Sequence, residues 1–515
     1  MKMVKSLVLG SAAGLLAMSA GAQAADLPVK AKAVEYVRIC SLYGAGFYYI
    51  PGTDTCIKLG GYLRADVILY GNSDYAPNLT GVGAANNRLS NYYTTRSRFD
   101  FQVDTRTATE YGVVRTYAEA VFTWTGGSYN GNGTLLGAGT TIYSDQVAGA
   151  VGAGSIGGGN LGLYNAFIQF AGFTFGRSYS IFDAPWQSYP SGGPDTLPGG
   201  SNNVTGINNI QYTYQFGNGW SGSVALQDTT QYLTTTVMNL SGATAAGMIG
   251  GSYGVNNIGG TRVPDAVGRI MVDQAWGIAQ VMVAGHDNHA GYYGVDETTG
   301  HPGDKYGWAV GAAVGLKNLW TGPGDVFNIQ GVYTDGASRY NFQSLMPTQP
   351  GAIYGGSGIP GVYQGLAIAG LGDVVYTNGS SLESVKTWGF RGGFTHNWNP
   401  YWASGVYGAY AQARFGNAGK AAICANFVTL GLVTAATGPF GCNPDFNFAA
   451  VGVNTIWTPI KNLAFTADVT WAEIDQKYSG NILAPVAVAV AKPGVLYQLK
   501  NESSVSALLR VQRNF

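Results

Sequence analysis

A short run of histidines and acids is the first place where the sequence could do chemistry. His286-Asp287-Asn288-His289, with His301 nearby, carries side-chain types that bind metal ions. Two histidines three residues apart at the end of a strand do not share a face, and no further sequence feature completes a coordination shell. We therefore expect polar loop residues here and no metal site.

A glycine-rich stretch offers a second possibility. Residues 152–157 match the GxGxxG pattern of dinucleotide-binding proteins, which needs a buried strand before the glycines and a helix after them. The match sits instead in a glycine-rich loop. No GxSxG motif is evident, and the four histidines fall mainly in loops or at strand ends. The sequence thus predicts a protein that is not an enzyme and binds no cofactor.

The composition indicates a protein with two kinds of surface. Of 515 residues, 78 are glycine and 11% are charged, against about 25% charged residues in an average soluble domain. Few charges with many Gly, Asn, Ser, Thr and Tyr residues suit a protein that meets lipid on one side and lines a wet space on the other. The mean hydropathy of +0.05 argues against a helical membrane protein.

The first 24 residues resemble a cleaved signal peptide. Lys2 and Lys5 form a charged start, residues 6–20 are apolar, and cleavage is expected between Ala24 and Ala25. The apolar run is shorter than the roughly 20 residues that a membrane-spanning helix needs. Removing two lysines from 28 basic residues leaves 26 against 28 acidic ones, a net charge of −2. A chain so close to neutral has no strong global field for nucleic acid.

The four cysteines favour disulfides over metal thiolates, because their number is even and they follow a signal peptide. Three pairings are possible. We predict the local one, Cys40–Cys56 and Cys424–Cys442, which closes two short loops. In the chain-entropy model, each bond stabilises the fold by about 3 kcal/mol.

Alternation with a period of two is the main structural signal. In residues 58–69, Leu59, Leu63 and Val67 share one face, while Arg64 and Asp66 share the other. Membrane strands of about 10 residues show this pattern, with apolar side chains outward and polar ones inward. About sixteen segments follow it: 58–69, 96–106, 113–124, 162–170, 173–180, 209–216, 220–228, 265–273, 276–286, 305–316, 326–335, 385–396, 401–412, 446–457, 463–473 and 504–515.

The connections between these segments alternate between short and long. The short ones include 171–172, 217–219, 274–275, 397–400 and 458–462, and the long ones include 70–95, 125–161, 181–206, 229–264, 336–384, 413–445 and 474–503. Short periplasmic turns and long external loops are typical of outer-membrane barrels. We therefore predict an all-β protein, a transmembrane antiparallel β-barrel, with residues 1–24 as signal peptide, 25–57 as a pre-barrel segment with one disulfide, and 58–515 as the barrel.

Both ends of the chain resemble the alphaproteobacterial porin family. The resemblance lies in the signal peptide, in EYVRIC at 35–40, in YGAGFYYIPGTDTCIKLGGY at 43–62, and in VQRNF at 511–515. It implies a homotrimeric general-diffusion porin of the bacterial outer membrane, with about sixteen strands and a third loop folded into the pore. The expected function is a water-filled channel for small hydrophilic solutes and ions.

The closing strand also carries an expectation about assembly. Phe515 is in phase with the apolar face of that strand, and a terminal aromatic residue there resembles the signal that the barrel-assembly machinery recognises. The expected partners are therefore this machinery, outer-membrane lipid and lipopolysaccharide, further copies of the chain, and the solutes themselves.

The resemblance also implies a constriction. Residues 173–180, FTFGRSYS, are similar to the strand that leads into the family's constriction loop, which would here be 181–206, with Asp183 and Asp195 and without Lys or Arg. Facing these acids we expect the arginines Arg64, Arg96, Arg98 and Arg115, with Arg177 at the root of the loop. Opposite charges across a narrow passage would orient dipolar solutes. Alternatively, the arginines only solvate the lumen or pair with Asp66, Asp100, Asp104 and Glu119.

Two other functions compete with a general porin. A sugar-selective channel needs a track of aromatic side chains down the pore, and although Tyr62 and Tyr117 face inward by parity, the sequence shows no continuous track. A plugged structural or adhesive surface barrel would explain the long loops. Channel conductance separates these functions.

Overall fold

A computed structural model describes ten stretches of the chain: residues 38–70, 92–125, 128–129, 135–136, 160–186, 197–201, 205–229, 236–342, 351–486 and 492–515. The predicted signal peptide with Ala24 and Ala25, the GxGxxG match and Asp195 lie outside them. In the described stretches, no helix has the length and apolar character that crossing a membrane requires.

Two compact units divide the chain, residues 1–56 and 57–515. The described part of the first unit contains a 3-10 helix, Ser41–Tyr43, and a short strand, Tyr48–Tyr49. Its small core consists of Phe47 and the Cys40–Cys56 disulfide. The second disulfide joins Cys424 to Cys442, so the predicted local pairing is confirmed.

Sixteen long strands, the predicted number, form the second unit. In chain order they are β1 Cys56–Leu69, β2 Tyr93–Thr109, β3 Gly112–Thr125, β4 Asn160–Phe170, β5 Phe173–Ser178, β6 Ile207–Gly217, β7 Trp220–Gln227, β8 Asp265–Gln274, β9 Gly277–Asn288, β10 Lys305–Lys317, β11 Val326–Asp335, β12 Lys386–Asn399, β13 Trp402–Arg414, β14 Phe446–Ile460, β15 Leu463–Gln476 and β16 Glu502–Asn514.

Each strand pairs antiparallel with the next, and β16 closes the sheet by pairing with both β15 and β1. At the closure Ala65 lies opposite Val511, and Val511 in turn lies opposite Phe465 on β15. Closure removes every open sheet edge, which matters because unpaired backbone groups in hydrocarbon each destabilise the fold by several kcal/mol. The predicted all-β barrel is confirmed.

The outer face carries an apolar band with aromatic side chains near both ends. Leu63, Val224, Ile270, Val281 and Leu509 are examples from the exposed middle of the strands. Exposed aromatic residues near the short-turn end are Tyr111, Phe216, Trp220, Trp276, Trp398 and Trp402, and those near the long-loop end are Tyr93, Trp124, Tyr306, Trp308 and Trp388. Two aromatic girdles around an apolar band are the outer surface of a membrane barrel.

The turns at one end are short and tightly specified. Ala171-Gly172 has φ values of 50° and 85°, and Asn218-Gly219 has φ values of 50° and 78°. Two successive residues with positive φ form the hairpin turn whose twist matches that of the flanking strands, and Asn-Gly is its preferred sequence. The strand ends that lead into the long connections all lie at the opposite end, as the alternating lengths predicted.

Four of the long connections fold together into what we call the inner cap, made of residues 237–256, 338–342, 351–384, 415–442, 478–486 and 492–499. One of its sheets contains the strands Val255–Asn256, Val237–Asn239, Val374–Tyr376 and Glu383–Ser384, and the other contains Gly351–Gly355, Gln364–Ala369, Leu496–Leu499, Ser479–Leu483 and Phe440–Gly441. Its helices are α1 Ala245–Ile249 and α2 Asn417–Thr429, with 3-10 turns at Leu240–Gly242, Ser338–Tyr340 and Ala435–Thr437. A two-stranded pair, Ser128–Tyr129 with Leu135–Leu136, belongs to another loop.

The inner cap has a dry interior. Ile368, Phe427 and Ile482 are fully buried within one core cluster. Burial also raises the pKa of Tyr354 to about 12 and lowers the pKa of Lys492, because each charged form loses its hydration. The cap is therefore a packed body rather than a set of independent loops.

Replacing Phe515 with alanine is expected to slow barrel assembly. The Phe515 N–H donates to the Gly61 carbonyl at 3.1 Å, and its ring stacks on Phe99 at 6.2 Å between centroids. The stacked pair contributes about 0.5–1.5 kcal/mol where β16 meets β1 and β2. Pulse-chase followed by heat-modifiable gel migration measures the yield of closed barrel. Tyr111→Ala, in an exposed turn at the same end, is the control, and equal yields from both variants would contradict the role of Phe515.

Candidate functional site

Charged side chains gather on one part of the inner face of the barrel. Leaving aside Lys58 at the rim and Glu502 beneath the inner cap, strands β16, β1, β2 and β3 carry ten of them, which we call the charged wall. Its members are Arg64, Arg96, Arg98, Arg106, Arg115 and Arg510, with Asp66, Asp100, Asp104 and Glu119. Six positive charges against four negative ones leave a net charge of +2. Strand alternation places all ten on the face opposite the apolar outer band.

Asp66 is clamped between two arginines from the neighbouring strands. Arg96 of β2 approaches one carboxylate oxygen at 2.6 Å, and Arg510 of β16 donates to the other at 2.7 Å. The side chains of Asp66 and Arg96 have no exposed surface, and that of Arg510 is 8% exposed. This is a buried three-strand ion cluster located where the last strand joins the first two, so it serves barrel closure.

Arg64 and Arg98 form a pair of like charges on the short-turn side of this cluster. The Tyr70 N–H donates to the Tyr92 carbonyl and Asp66 meets Arg96, and continuing this antiparallel register along β1 and β2 places Arg64 opposite Arg98. The Nε–H of Arg64 donates to Gln512 at 2.8 Å, and that of Arg98 donates to Thr123 at 3.1 Å. Like charges directly opposite each other destabilise a sheet. Both arginines also interact electrostatically with Asp100 on β2, so the two guanidinium groups and this carboxylate form one charged group on the inner face.

A third positive position lies nearer the short turns. Arg115 donates to Asp104 at 3.0 Å and to Gln169 at 2.9 Å, and its guanidinium lies over the rings of Tyr117 and Phe167. About a quarter of its side chain is exposed, at 28%. Arg115 is thus partly neutralised but still meets the interior space.

The described parts of loop 3, residues 179–186, 197–201 and 205–206, lie along the inner face of strands on the other side of the barrel. Ile181 and Phe182 are buried among inward side chains of β7 to β11. The Asp183 carbonyl accepts from Gln280 of β9 at 2.7 Å, and the Leu197 carbonyl accepts from Arg391 of β12 at 2.7 Å. The described parts of the loop therefore lie inside the barrel, as the inward-folded third loop predicted.

Gly199 lies where this loop comes directly against β12. It has φ +101°, and a Cβ there would collide with the backbone carbonyl of Phe390 on β12. Gly199→Ala is expected to destabilise the docked loop by about 1–3 kcal/mol, as overpacking does, and to raise channel conductance. Gly361→Ala is the matched control, because Gly361 has φ +82° and its Cβ would meet no described atom within 4 Å. Equal conductance of the two variants would contradict the docking role.

The predicted site residues lie in different environments, some buried and some partly exposed. Arg64, which is half-buried, and Arg98, which is buried with 9% of its surface exposed, are brought together, and Arg115 lies on the same wall. Arg96 instead belongs to the buried clamp, with 1% of its surface exposed. Asp183 is also buried, at 5%, and accepts a hydrogen bond from Ser201.

Arg177 corrects one expectation. The strand register places it opposite Ala166 and Asn208, on the face of β5 that carries the exposed Phe173 and Phe175. Successive side chains of a strand alternate between faces, so a residue in phase with two outward phenylalanines is not part of the inner wall. Arg106 and Arg510, which sequence reasoning missed, follow from the same parity on β2 and β16.

The histidines have structural partners. His286 Nδ1 lies 2.7 Å from Asp265, and His289 Nδ1 lies 2.7 Å from Asp304. In the part of the chain that the structure describes, no three His, Cys, Asp or Glu side chains are arranged to hold a metal ion.

Comparisons with known proteins agree with this architecture. The solved outer membrane channel DcaP of Acinetobacter baumannii superposes with a TM-score of 0.53 at 14% identity, covering 91% of this chain and 99% of the channel. At that identity the likeness concerns the fold alone. Among curated relatives, porin Omp2a of Brucella ovis is 37% identical over 228 residues, 44% of this chain and 59% of its own length. Porin Omp2b of Brucella suis is 34% identical over the same share of this chain and 52% of its own length.

The chain thus matches little more than half the length of these relatives, but a family model covers nearly all of it. The model described as the porin subfamily matches residues 26–508. Together with the closed barrel, this makes the protein a multi-pass β-barrel of the bacterial outer membrane. The chain belongs to the porin subfamily.

Proposed function

We propose that this protein forms a water-filled channel through which small hydrophilic solutes and ions diffuse passively. The observation that carries the proposal is the contrast between the two faces of one closed sheet. The outer face is apolar and has two aromatic girdles, whereas the inner face of β16 and β1 to β3 carries ten charged side chains. Arg64, Arg106 and Arg115 keep part of their surface exposed on that inner face, as charged side chains beside water do. We assign no catalytic role to any residue.

The charged wall also bears on selectivity. Its net charge of +2 and the paired Arg64 and Arg98 favour anions over cations, since a fixed charge acts strongly on a permeating ion within a few ångströms. We propose Arg64, Arg98 and Arg115 as the residues that line the passage. Asp183 holds loop 3 in place, and Asp195 remains our candidate for the facing acid.

Planar lipid bilayers test the proposal directly. Purified, refolded protein should give discrete, ohmic conductance steps that barely saturate with salt concentration, and a salt gradient should give a reversal potential of anion-selective sign. Absence of channels at high protein load, from protein that migrates as a folded barrel in gels, would overturn the proposal.

A plugged structural or adhesive barrel is the second candidate, and the inner cap favours it. A packed body attached to the inner face could block the passage, in which case folded protein would show no conductance. Saturation of the conductance by added sugars would instead favour a substrate-selective channel that uses Tyr62, Tyr117 and Phe167.

Assembly is the remaining part of the proposal. We propose a homotrimer in contact with outer-membrane lipid and lipopolysaccharide, inserted by the barrel-assembly machinery through a signal that includes Phe515. The domain division into a signal peptide at 1–24, a pre-barrel segment at 25–57 and the barrel at 58–515 belongs to the same proposal. Chemical crosslinking and N-terminal sequencing of the mature protein test these points.

A further inference from the structure

Toward the long-loop end, the inner face of three strands, β13 to β15, becomes apolar. On β13 the inward residues Ala409, Ala411 and Ala413 are buried, and Phe448 on β14 and Ile474 on β15 are fully buried. A water-filled barrel normally has a polar inner face. An apolar inner face of small and aromatic residues is stable only when protein covers it.

The inner cap is what covers it. The wall residues Ala411, Phe448 and Ile474 belong to the same core cluster as Ile368 and Phe427 of the cap. The cap therefore enters the barrel and packs against its inner face, rather than lying above the rim. The Cys424–Cys442 disulfide is within the cap and restrains the segment that carries Phe427.

Gln476 fastens the cap to the wall. This buried side chain stands at the end of β15, donates to the carbonyls of Leu366 at 2.8 Å and Lys500 at 2.7 Å, and accepts from the N–H of Ile368 at 3.0 Å. All its hydrogen bonds with the cap go to backbone groups, so it holds the position of the strand Gln364–Ala369 rather than one particular side chain.

Two glycines of the cap make room for a second wall residue. Gly355 and Gly365 lie opposite each other in one hairpin, and a Cβ at either position would collide with the carboxylate of Glu502 on β16. Glu502 is itself buried, and Lys500 lies 3.7 Å from it. Two glycines that face one barrel side chain indicate a fitted contact between cap and wall.

The remaining inner wall is on the charged side. Loop 3 covers inward residues of β7 to β11, and the cap covers those of β13 to β15. Among the described residues, none from β1 to β4 or from β16 belongs to either of these two core clusters. Loop 3 and the inner cap thus cover two parts of the inner face, and the charged wall lies opposite them.

We propose that the inner cap is a permanent partial plug, which confines solutes to the side of the barrel lined by the charged wall and so sets the size limit of the channel. The inference rests on the proposed channel function. It differs from that function in assigning the size limit to packed loops 4, 6, 7 and 8, counted along the chain, together with loop 3, rather than to loop 3 alone or to the circumference of the sixteen-stranded barrel. Gln476 is a positioning residue in this arrangement.

The test undocks the cap while leaving the barrel closed. Gln476→Ala removes the two hydrogen bonds to the cap strand Gln364–Ala369 and the one to Lys500 beside it, and Ala411→Asp places a charge on the wall beneath the cap. Each variant is expected to raise single-channel conductance about 1.5-fold to twofold, because conductance grows with the open cross-section, and to admit larger sugars in liposome swelling. Gln412→Ala is the matched control, since Gln412 neighbours Ala411 on β13 but bonds to Trp388 on the outer face.

A labelling experiment shows whether undocking has occurred. Ala409→Cys in an otherwise unchanged protein is expected to resist a membrane-impermeant maleimide, and to react at least tenfold faster when combined with Gln476→Ala. Rapid labelling of the single variant would overturn the docked cap. Faster labelling in the double variant without a change in conductance or size limit would overturn the plug. Absence of conductance from the unaltered protein would instead remove the proposed function itself, and heat-modifiable migration identifies any variant that fails to fold.

Discussion

Asp66→Ala is expected to have the largest effect of any single substitution on the closed barrel. It leaves the guanidinium groups of Arg96 and Arg510 buried without their shared carboxylate. Removing one partner from a buried ion cluster destabilises proteins by about 3–5 kcal/mol, because a buried charge is left uncompensated. Since the cluster joins β16 to β1 and β2, we expect most of the protein to remain unclosed. Urea titration followed by heat-modifiable gel migration measures the loss.

Asp104→Ala is the matched control for this prediction. Asp104 also meets two arginines, Arg106 and Arg115, but their side chains are 29% and 28% exposed. Exposed ion pairs contribute only about 0–1 kcal/mol. In addition, Arg96→Met combined with Asp66→Ala should recover part of the stability, since it removes one unpaired charge. Equal destabilisation by the two single variants would show that burial of the clamp does not matter.

The second large effect concerns ion selectivity. Replacing both Arg64 and Arg98 with Gln is expected to shift the reversal potential in a salt gradient toward cations, lowering the anion-to-cation permeability ratio by about fivefold or more. The estimate follows from about 1 kcal/mol for each charge acting on an ion at about 4 Å in water. Conductance should change less than selectivity, because Gln keeps a polar side chain at both positions while removing the charge.

The control removes two positive charges elsewhere. Lys461→Gln with Arg513→Gln alters the exposed rim at the short-turn end, where Arg513 donates to the Lys461 carbonyl. Charges separated from the path by more than the Debye length of about 8 Å at physiological salt are largely screened. An unchanged reversal potential in the Arg64 and Arg98 variant would place the ion path away from the charged wall.

Sequence alone predicted the barrel well because its two solvents impose a pattern on every strand. Lipid outside and water inside require alternation along Leu59, Leu63 and Val67 against Arg64 and Asp66, and such a signal is local. The parity of β5 was equally visible: Phe173 and Phe175 mark the outward face, and Arg177 is in phase with them. The error there came from placing Arg177 by its position next to a loop rather than by its parity.

The parts that sequence did not predict depend on contacts between distant residues. Arg96 was correctly placed on the inner face, but its pairing with Asp66 needs the register of β1 on β2, and that of Arg510 needs closure by β16. The inner cap is harder still, because Gln476 meets Leu366 across 110 residues. Neither partner carries a periodic signal, so nothing in the sequence indicates which loops share a core.

The shared core of the cap also governs where the exposed surface of this protein can vary. External loops normally accept insertions and sequence change because few buried contacts depend on them. Here a lengthened segment near Ile368, Phe427 or Ile482 would disturb three other loops at once. The tolerant positions are the tips that leave the core, at residues 356–363 and 377–381. Within the cap, an inserted peptide would therefore be accommodated best at these two exposed tips.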